Sequence, residues 1–555
     1  MIRKSFLCII LCSLFWLRCG IESADLIVNN AKIITLNNEN KIAEAVAIKS
    51  DRIIAVGTNL AIDKYRGYNT VVIDARQKSV LPGFNDAHCH FVSGSQSLRT
   101  LDFRNIESID EIKSMISKKI AELPAGTVII GNNYDHTLFR NAQFPSRFDL
   151  DPVSPDNPVI IERVDGHSCW VNSKALKLAA IGPKTNAPFG GEIVIDKKTG
   201  QPTGILKESA MTLLNVLYDA NLDPALIEED IENGLTHANS LGLTSVQTSA
   251  GLAEYRMFED LKKEGELTLR IYAWQYLDQL DTLQKLSIQS GDGDSLLRVG
   301  FLKSFIDGSL GSGTALLFEP YDDAPTQTGL IQYQETEFQQ KISSAHEAGY
   351  QTGTHAIGDK GVNIVLNAIE YAQQQNGVKP LRHRIEHAQI VTDQDFTRFA
   401  ELEVIASMQP THCTTDLRFC EQRIGIERSK RAYAWRTFVD NNVSIAFGTD
   451  WPVEPLDPMR GIYSAITRKN IESDSPEQGW FPEQKLTLTE ALKFYTVGSA
   501  YASFEEDLKG RIEPGKLADI IVLDNDLYAI EPEELLTTRV RYTIFGGKIV
   551  YEDQR

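Results

Sequence analysis

The middle of the chain alternates short apolar runs with stretches of helical periodicity. Eight runs have the character of strands, and helix-like segments such as "DKGVNIVLNAIEYAQQQ" separate them. The eight runs are "SVLPGFNDAHCH", "GLTSVQTS", "LRIYAWQY", "RVGFLKSFIDG", "GYQTGTHAIGD", "HRIEHAQIV", "EVIASMQPTH" and "VSIAFGTDWP". A strand followed by a helix, repeated eight times, predicts an α/β fold built on a (β/α)₈ TIM barrel.

The two ends of the chain show a different pattern, in which β-rich runs are separated by turns. Residues 25–80 and 505–555 both have it, so we predict one composite β-sandwich domain built from both termini. The barrel then occupies residues 81–504. Residues 100–215 are too many for one βα unit and contain strand-like runs of their own, which predicts an inserted α/β subdomain after barrel strand 1, over the barrel mouth.

Residues 1–24 have the composition of a leader. Arg3 and Lys4 precede an apolar run from Phe6 to Leu17, which is short for a transmembrane helix. We expect an export signal and a protein of the bacterial periplasm or envelope; an uncleaved membrane anchor is the alternative. Cys19 stands where lipoproteins carry the lipid-acceptor cysteine, but Arg18 departs from that motif. Any membrane contact is expected only through this leader or a lipid anchor.

Composition and charge narrow the class of partner. The 555 residues are 42% hydrophobic and 24% charged, as in an ordinary globular protein. The formal net charge is −19 and no basic run stands out, so nucleic acid is not an expected partner. The cysteines beyond the leader are far apart and form no CxxC pair, so the sequence requires neither a disulfide framework nor a zinc knuckle. They are Cys89, Cys169, Cys413 and Cys420.

Polar residues at the predicted strand ends carry the candidate chemistry. The first strand ends in His88 and His90, which point the same way because side chains two apart in a strand share a face. Strands five, six and eight end in His355, His387 and Asp450. Strand ends meet at one face of a barrel, and imidazole and carboxylate are common metal ligands. The pattern therefore predicts a divalent metal site; the alternative for His-x-His alone is a pair of capping or core histidines.

These motifs resemble the YtcJ-like branch of the amidohydrolase superfamily (amidohydrolase family 3), which includes N-substituted formamide deformylases. The resemblance covers nearly all of the chain beyond the leader. It implies a barrel with a composite β-domain, a centre of one or two metals, and hydrolysis of C–N bonds in amides or related groups by metal-activated hydroxide. The segments that carry it are "LPGFNDAHCH", "RVDGHSCWVNSKAL", "FLKSFIDGSLGSGTALLFEPYDD", "THAIGD", "RIEHAQ", "MQPTH", "AYAWR", "FGTDWPVEPLDP" and "GRIEPGKLADIIVLD".

The resemblance also implies a role for each strand-end residue. His88 and His90 would bind the more buried metal, and His355 and His387 the second one. Asp450 would bind the first metal and take a proton from the attacking water.

Lys303, in "GFLKSF", matches the position of a carboxylated lysine that bridges two metals in superfamily members. A carbamate is an anion with two oxygens, whereas an ammonium group repels metal ions; the alternative is an ordinary lysine paired with a carboxylate. Zinc is the first expectation for the metal, although manganese, iron and cobalt suit the same ligands.

Further residues are candidates for contact with a small-molecule substrate. His167, in "DGHSCW" of the insert, could polarise the substrate carbonyl; its alternative role is to hold the insert together. We expect Trp170 of the same motif, Asp307 in the loop after strand four and His412 at the end of strand seven to contact substrate. For His412 the alternative is a rim hydrogen bond.

Two other classes of function stay open at this point: a different hydrolytic reaction at the same centre, and binding without catalysis. A cyclic-amide hydrolase or a deaminase could use the same centre, although the strand-five sequence "HAIGD" does not match the His-x-x-Glu motif that an adenosine-type deaminase carries. The third hypothesis is an exported binding protein on a barrel without activity. The oligomeric state, including a homodimer, is open too.

Overall fold

The computed structural model describes residues 22–219 and 224–554. Eight parallel strands form its central sheet, each hydrogen-bonded to the next in chain order. Asp450 N donates to His88 O and His90 N donates to Trp451 O, both at 2.7 Å, which joins the last strand to the first. Barrel strands 1 to 8 are Phe84–Cys89, Leu243–Ser249, Arg270–Tyr276, Leu297–Phe305, Thr352–Ala356, Arg384–His387, Ile405–Met408 and Ile445–Phe447.

α-Helices surround this barrel and confirm the predicted (β/α)₈ fold class. Helix Asp359–Asn376 shows the physical basis, because its buried apolar residues recur every three or four positions and face the strands. The other helices around the barrel are Phe91–Ser97, Pro224–Ser240, Leu252–Glu264, Leu280–Lys285, Glu335–Glu347, Asp395–Glu401, Pro410–Asp416, Cys420–Ser429, Trp435–Asp440, Pro458–Thr467, Leu488–Lys493 and Ser499–Ala502.

The first predicted strand is two strands in the structure. Ser79–Pro82 pairs within the terminal β-domain, whereas Phe84–Cys89 begins the barrel. The chain passes between the two sheets at Gly83, where a Cβ would lie only 2.2 Å from Thr244 Oγ1. Only glycine permits this close approach, and an unbroken apolar run conceals the change of sheet.

Two sheets built from both termini form a β-sandwich beside the barrel. Their facing residues share one core, which includes Val28, Val46, Val80 and Ile520. The four-stranded sheet has the order Arg52–Gly57, Ala45–Lys49, Leu26–Asn29, Val71–Asp74, with helix Asn59–Asp63 beside it. The six-stranded sheet has the order Lys548–Glu552, Val540–Phe545, Ile520–Leu523, Ser79–Pro82, Lys32–Ile34, Ile42–Ala43.

The segment between barrel strands 1 and 2 forms a mixed sheet with its own apolar core. Its strand order is Glu192–Ile195, Pro202–Lys207, Ser168–Val171, Val159–Arg163, Ile129–Tyr134, Leu101–Asp102. The helices of this insert are Ile109–Ile120, Arg147–Leu150, Ser173–Leu178 and Asn215–Asp219.

The predicted leader and its lipid-acceptor candidate Cys19 lie outside the described residues, apart from the last residues of the range 1–24. Within the described ranges, every helix is too short or too polar to cross a bilayer.

Candidate metal centre

Five predicted strand-end residues converge at the carboxyl end of the barrel. Asp450 Oδ1 lies 3.4 Å from His88 Nε2 and 3.3 Å from His90 Nε2. The His387 ring centre lies 5.2 Å from that of His88 and 4.4 Å from that of His355. Residues from four different strands therefore surround one small volume. We call these five residues together with Lys303 and His412 the rim cluster.

Two sets of ligand atoms within the rim cluster are compact enough to hold a cation. His88, His90 and Asp450 form one set, and His387, His412 and Asp450 form the other, each with its ligand atoms within 4.8 Å of one another. His412, predicted as a substrate contact, therefore lies among the candidate ligands. His355 is outside both sets, and its Nε2 donates a hydrogen bond to Gly308 O at 3.2 Å.

The electrostatics of the rim cluster fit a divalent cation. Burial lowers the pKa of His88 to about 4 and holds the pKa values of His355 and His387 well below the usual range, so these rings are neutral and have a free lone pair. Among the described residues, Asp450 Oδ1, His387 Nδ1 and His412 Nε2 are buried without a hydrogen-bond partner. Buried polar atoms left unpaired are costly, and a cation would satisfy them.

Strained backbone and a buried aspartate hold Asp450 in place. Both His387 and Asp450 have positive φ, 71° and 62°, which non-glycine residues adopt rarely and mostly at functional sites. Asp86 accepts hydrogen bonds from Thr449 N at 3.0 Å and from Thr449 Oγ1 at 2.5 Å, which fixes the residue before Asp450. Asp86 was not among the predicted site residues, although it stands two residues before His88 on the same strand face.

Lys303 is buried on barrel strand 4 next to the same ligands. Its Nζ lies 3.3 Å from His88 Nε2 and near the rings of Trp274 and Phe305. Burial lowers the pKa of Lys303 to about 8. Within the described ranges, Nζ has no carboxylate oxygen within 4.0 Å, so Lys303 does not form the ordinary ion pair that was its alternative role.

The insert places a positively charged side chain, His167, at the mouth of the barrel. The His167 ring centre lies 4.8 Å from that of His355, and His167 Nδ1 donates to Glu208 Oε2 at 2.9 Å. Burial opposes charge on this imidazole, but Glu208 outweighs it and the pKa of His167 rises to about 9. A cavity of about 40 Å³ lies between the insert and the rim cluster, lined in part by His167, His387, His412 and Asp450.

A second cavity adjoins this one. Its volume is about 420 Å³, and Arg104 and Arg460 are among its polar lining residues. The two cavities share a wall, formed by Asp135, Val164, Thr415, Arg418 and Glu454.

Two aspartates of the insert, Asp135 and Asp165, connect it to the barrel by an ion pair and a hydrogen bond. Arg163 binds Asp135 at 2.9 Å and Asp165 at 2.5 Å within the insert. From the barrel side, Arg418 Nη2 donates to Asp135 Oδ2 and Ser312 Oγ donates to Asp165 Oδ2, both at 2.8 Å. Each aspartate therefore has partners in both parts of the molecule, and the insert forms a fixed wall of the cavity.

Two predicted substrate contacts do not reach this cavity. Trp170 is fully buried in the core of the insert, where its indole N–H donates to Ser146 O at 2.8 Å. The Asp307 carboxylate accepts the backbone N–H groups of Leu316, Ile357 and Gly358 at 2.8–3.0 Å. Trp170 therefore packs the core of the insert, and Asp307 organises the loops after barrel strands 4 and 5; substrate contact by either residue stays a prediction.

An eight-stranded βα barrel with imidazoles and an aspartate gathered at the carboxyl ends of its strands defines a metal-dependent hydrolase. The chain belongs to the amidohydrolase family, whose sequence profile matches residues 71–551. The predicted family resemblance is thereby confirmed, and a hydrolase of this family uses a divalent metal and acts on a small-molecule substrate.

Relatives match the chain over almost its whole length. The putative amidohydrolase YtcJ of Bacillus subtilis (strain 168) is 32% identical over 530 residues, 94% of this chain and 98% of that protein. The N-substituted formamide deformylase of Arthrobacter pascens is 28% identical over 550 residues, 96% of this chain and 99% of that protein. The crystal structure of an uncharacterized metal-dependent hydrolase from Pyrococcus furiosus is similar with a TM-score of 0.70 and 31% identity, covering 92% of this chain and 99% of that one.

Proposed function

We propose that this protein hydrolyses a C–N bond in an amide or N-substituted formamide. The observation that carries the proposal is the convergence of four imidazoles on Asp450, whose Oδ1 is buried without a hydrogen-bond partner among the described residues. The similarity to an N-substituted formamide deformylase supports this bond type. One or two divalent metals, with zinc as the first candidate, would be held by His88, His90 and Asp450 and by the other rim-cluster histidines.

The chain's own residues divide the reaction between them. A metal in the rim cluster would supply Lewis acidity and lower the pKa of water from about 16 to near 7. Asp450 accepts the proton that water loses as its oxygen attacks the substrate carbonyl carbon, and returns it to the nitrogen as the C–N bond breaks. His167, charged at neutral pH and held by Glu208, donates a hydrogen bond to the oxyanion. The products are a carboxylate and an amine.

A product assay on a substrate panel tests the proposed bond type. We expect N-substituted formamides or N-substituted linear amides to release carboxylate and amine in equal amounts, without ammonia. Formate and ammonia are measured with coupled enzymes, and amines by chromatography. Turnover confined to lactams or imides would favour the cyclic-amide hydrolase. Ammonia from aminated heterocycles, with no turnover of amides, would indicate a deaminase. A protein that retains metal and turns over nothing would be a binding protein.

We also propose that Lys303 is carboxylated and contributes to a second metal site. In this step Nζ attacks carbon dioxide, forms a carbamate N–C bond and releases one proton. The support is its burial beside His88 Nε2 without a carboxylate partner within the described ranges.

Replacing Lys303 with methionine is expected to lower the metal content from two ions per chain to one. Methionine retains the apolar stem but cannot form a carbamate. The wild-type apoprotein should bind more metal when bicarbonate is added, whereas the variant should not respond, as elemental analysis after desalting would show. Equal metal content and an equal bicarbonate response in both proteins would contradict carboxylation.

A further inference from the structure

A buried ion pair inside the barrel adjoins the metal centre. Arg384 and Glu386 are two residues apart on barrel strand 6, so their side chains share the inward face. Both are fully buried, and the guanidinium binds the carboxylate through Nε–Oε1 at 2.6 Å and Nη2–Oε2 at 3.1 Å. Such a bidentate pair fixes the carboxylate in both position and orientation.

The other hydrogen bonds of Arg384 connect this ion pair to three other barrel strands. Nη2 also donates to Ala87 O of strand 1 at 2.8 Å and to Ser407 Oγ of strand 7 at 2.7 Å. Nη1 donates to Gln247 Oε1 of strand 2. Because every nitrogen of the planar guanidinium has a partner, the Glu386 carboxylate is located by the barrel as a whole.

The second carboxylate oxygen of Glu386 contacts the candidate metal ligand His88. Oε2 lies 2.5 Å from His88 Nδ1, so this nitrogen carries the ring proton and donates to the carboxylate. The opposite nitrogen, Nε2, then carries the lone pair, and it lies 3.4 Å from Asp450 Oδ1 and 3.3 Å from Lys303 Nζ. The hydrogen bond therefore selects the tautomer and the ring orientation that a metal on this side requires.

We propose that Glu386, held by Arg384, is a positioning residue that presents His88 to the metal. The proposal rests on the metal centre of the proposed function. An ion pair that only joined strands would stabilise the barrel without affecting metal affinity. A carboxylate that orients a ligand and increases its basicity affects metal affinity directly, typically by about 10–100-fold when it is lost.

The test is Co²⁺ binding by the variant Glu386→Gln, which keeps the side-chain shape and removes the charge. We expect Co²⁺ affinity, measured by competition with a chromophoric chelator, to fall by about 10–100-fold. We also expect the visible absorption of the bound Co²⁺ to change, because the orientation of His88 changes. Neither measurement depends on turnover.

A matched control separates positioning from loss of a buried charge. Glu505 forms a buried ion pair with Lys509 at 2.7 Å, so Glu505→Gln should alter melting temperature but neither Co²⁺ affinity nor absorption. If Glu386→Gln does not fold, the double variant R384Q/E386Q removes the unpaired cation, and the same losses are expected. Wild-type affinity and spectrum in a folded Glu386 variant, while His88→Asn loses Co²⁺, would overturn the positioning role alone. A wild-type protein that binds no Co²⁺ would overturn the metal centre together with it.

Discussion

Exhaustive chelation is expected to abolish hydrolysis while the protein stays folded. The barrel and the sandwich have apolar cores of their own, and the rim cluster lies at one end of the barrel. Removal of the cation removes several kcal/mol of transition-state stabilisation, and about 1.4 kcal/mol corresponds to a tenfold change in rate. The rate should therefore fall by at least about 10³-fold. The measurement is turnover of the best panel substrate before and after dialysis against a chelator, with circular dichroism recorded on the same samples.

Restoration by added metal is the control for that loss. Zinc, manganese or cobalt at one to two equivalents should restore activity, because imidazole and carboxylate suit all three. Calcium should not restore it, because calcium prefers a shell of oxygen ligands. Full turnover by a folded, metal-free sample would contradict the proposed function, since the chain's own residues would then be sufficient.

The regular geometry of parallel strands explains why much of the rim cluster could be predicted from the sequence. Each barrel strand ends at the same face, so a polar residue closing an apolar run has a predictable location. His88, His355, His387 and Asp450 are brought together for this reason. The same reasoning applied to "HRIEH" would have placed Arg384 and Glu386 on one inward face, and that signal was missed.

The insert could not be predicted to the same depth. No repeating template relates its strands to the barrel, so the sequence alone does not indicate whether a polar or aromatic residue faces the cavity or the insert's own core. His167 faces the cavity, whereas Trp170, three residues later, is in the core. The contacts of Asp307 could not be predicted for a related reason: its three backbone partners lie in loops, whose conformation has no periodic signature.

The change Asp450→Asn is expected to lower kcat by about 10²–10⁴-fold, because proton transfer by a positioned side chain contributes about that much. Asparagine is the sharpest substitution here. It tolerates positive φ as aspartate does, so the backbone at 62° is retained. The substitution removes the negative charge that both candidate ligand sets share. It also removes the carboxylate oxygen that accepts the proton. The measurements are kcat and KM on the best panel substrate, with metal content determined on the same preparation.

Metal content then separates the two roles of Asp450. Loss of kcat with metal retained would assign it chiefly to proton transfer, whereas loss of both would assign it to holding the cation, and either result agrees with its place at the centre of the rim cluster. Asp393→Asn is the matched control, because this acid follows barrel strand 6 but its side chain is 83% exposed, so kcat should stay at the wild-type value. If the kcat of Asp450→Asn stayed within about threefold of wild type at normal metal content, Asp450 would not be the general acid–base group. The loss in kcat would then be far smaller than the loss expected of such a group. The proton would then have to be moved by another group that lines the cavity, such as His167 on the insert side.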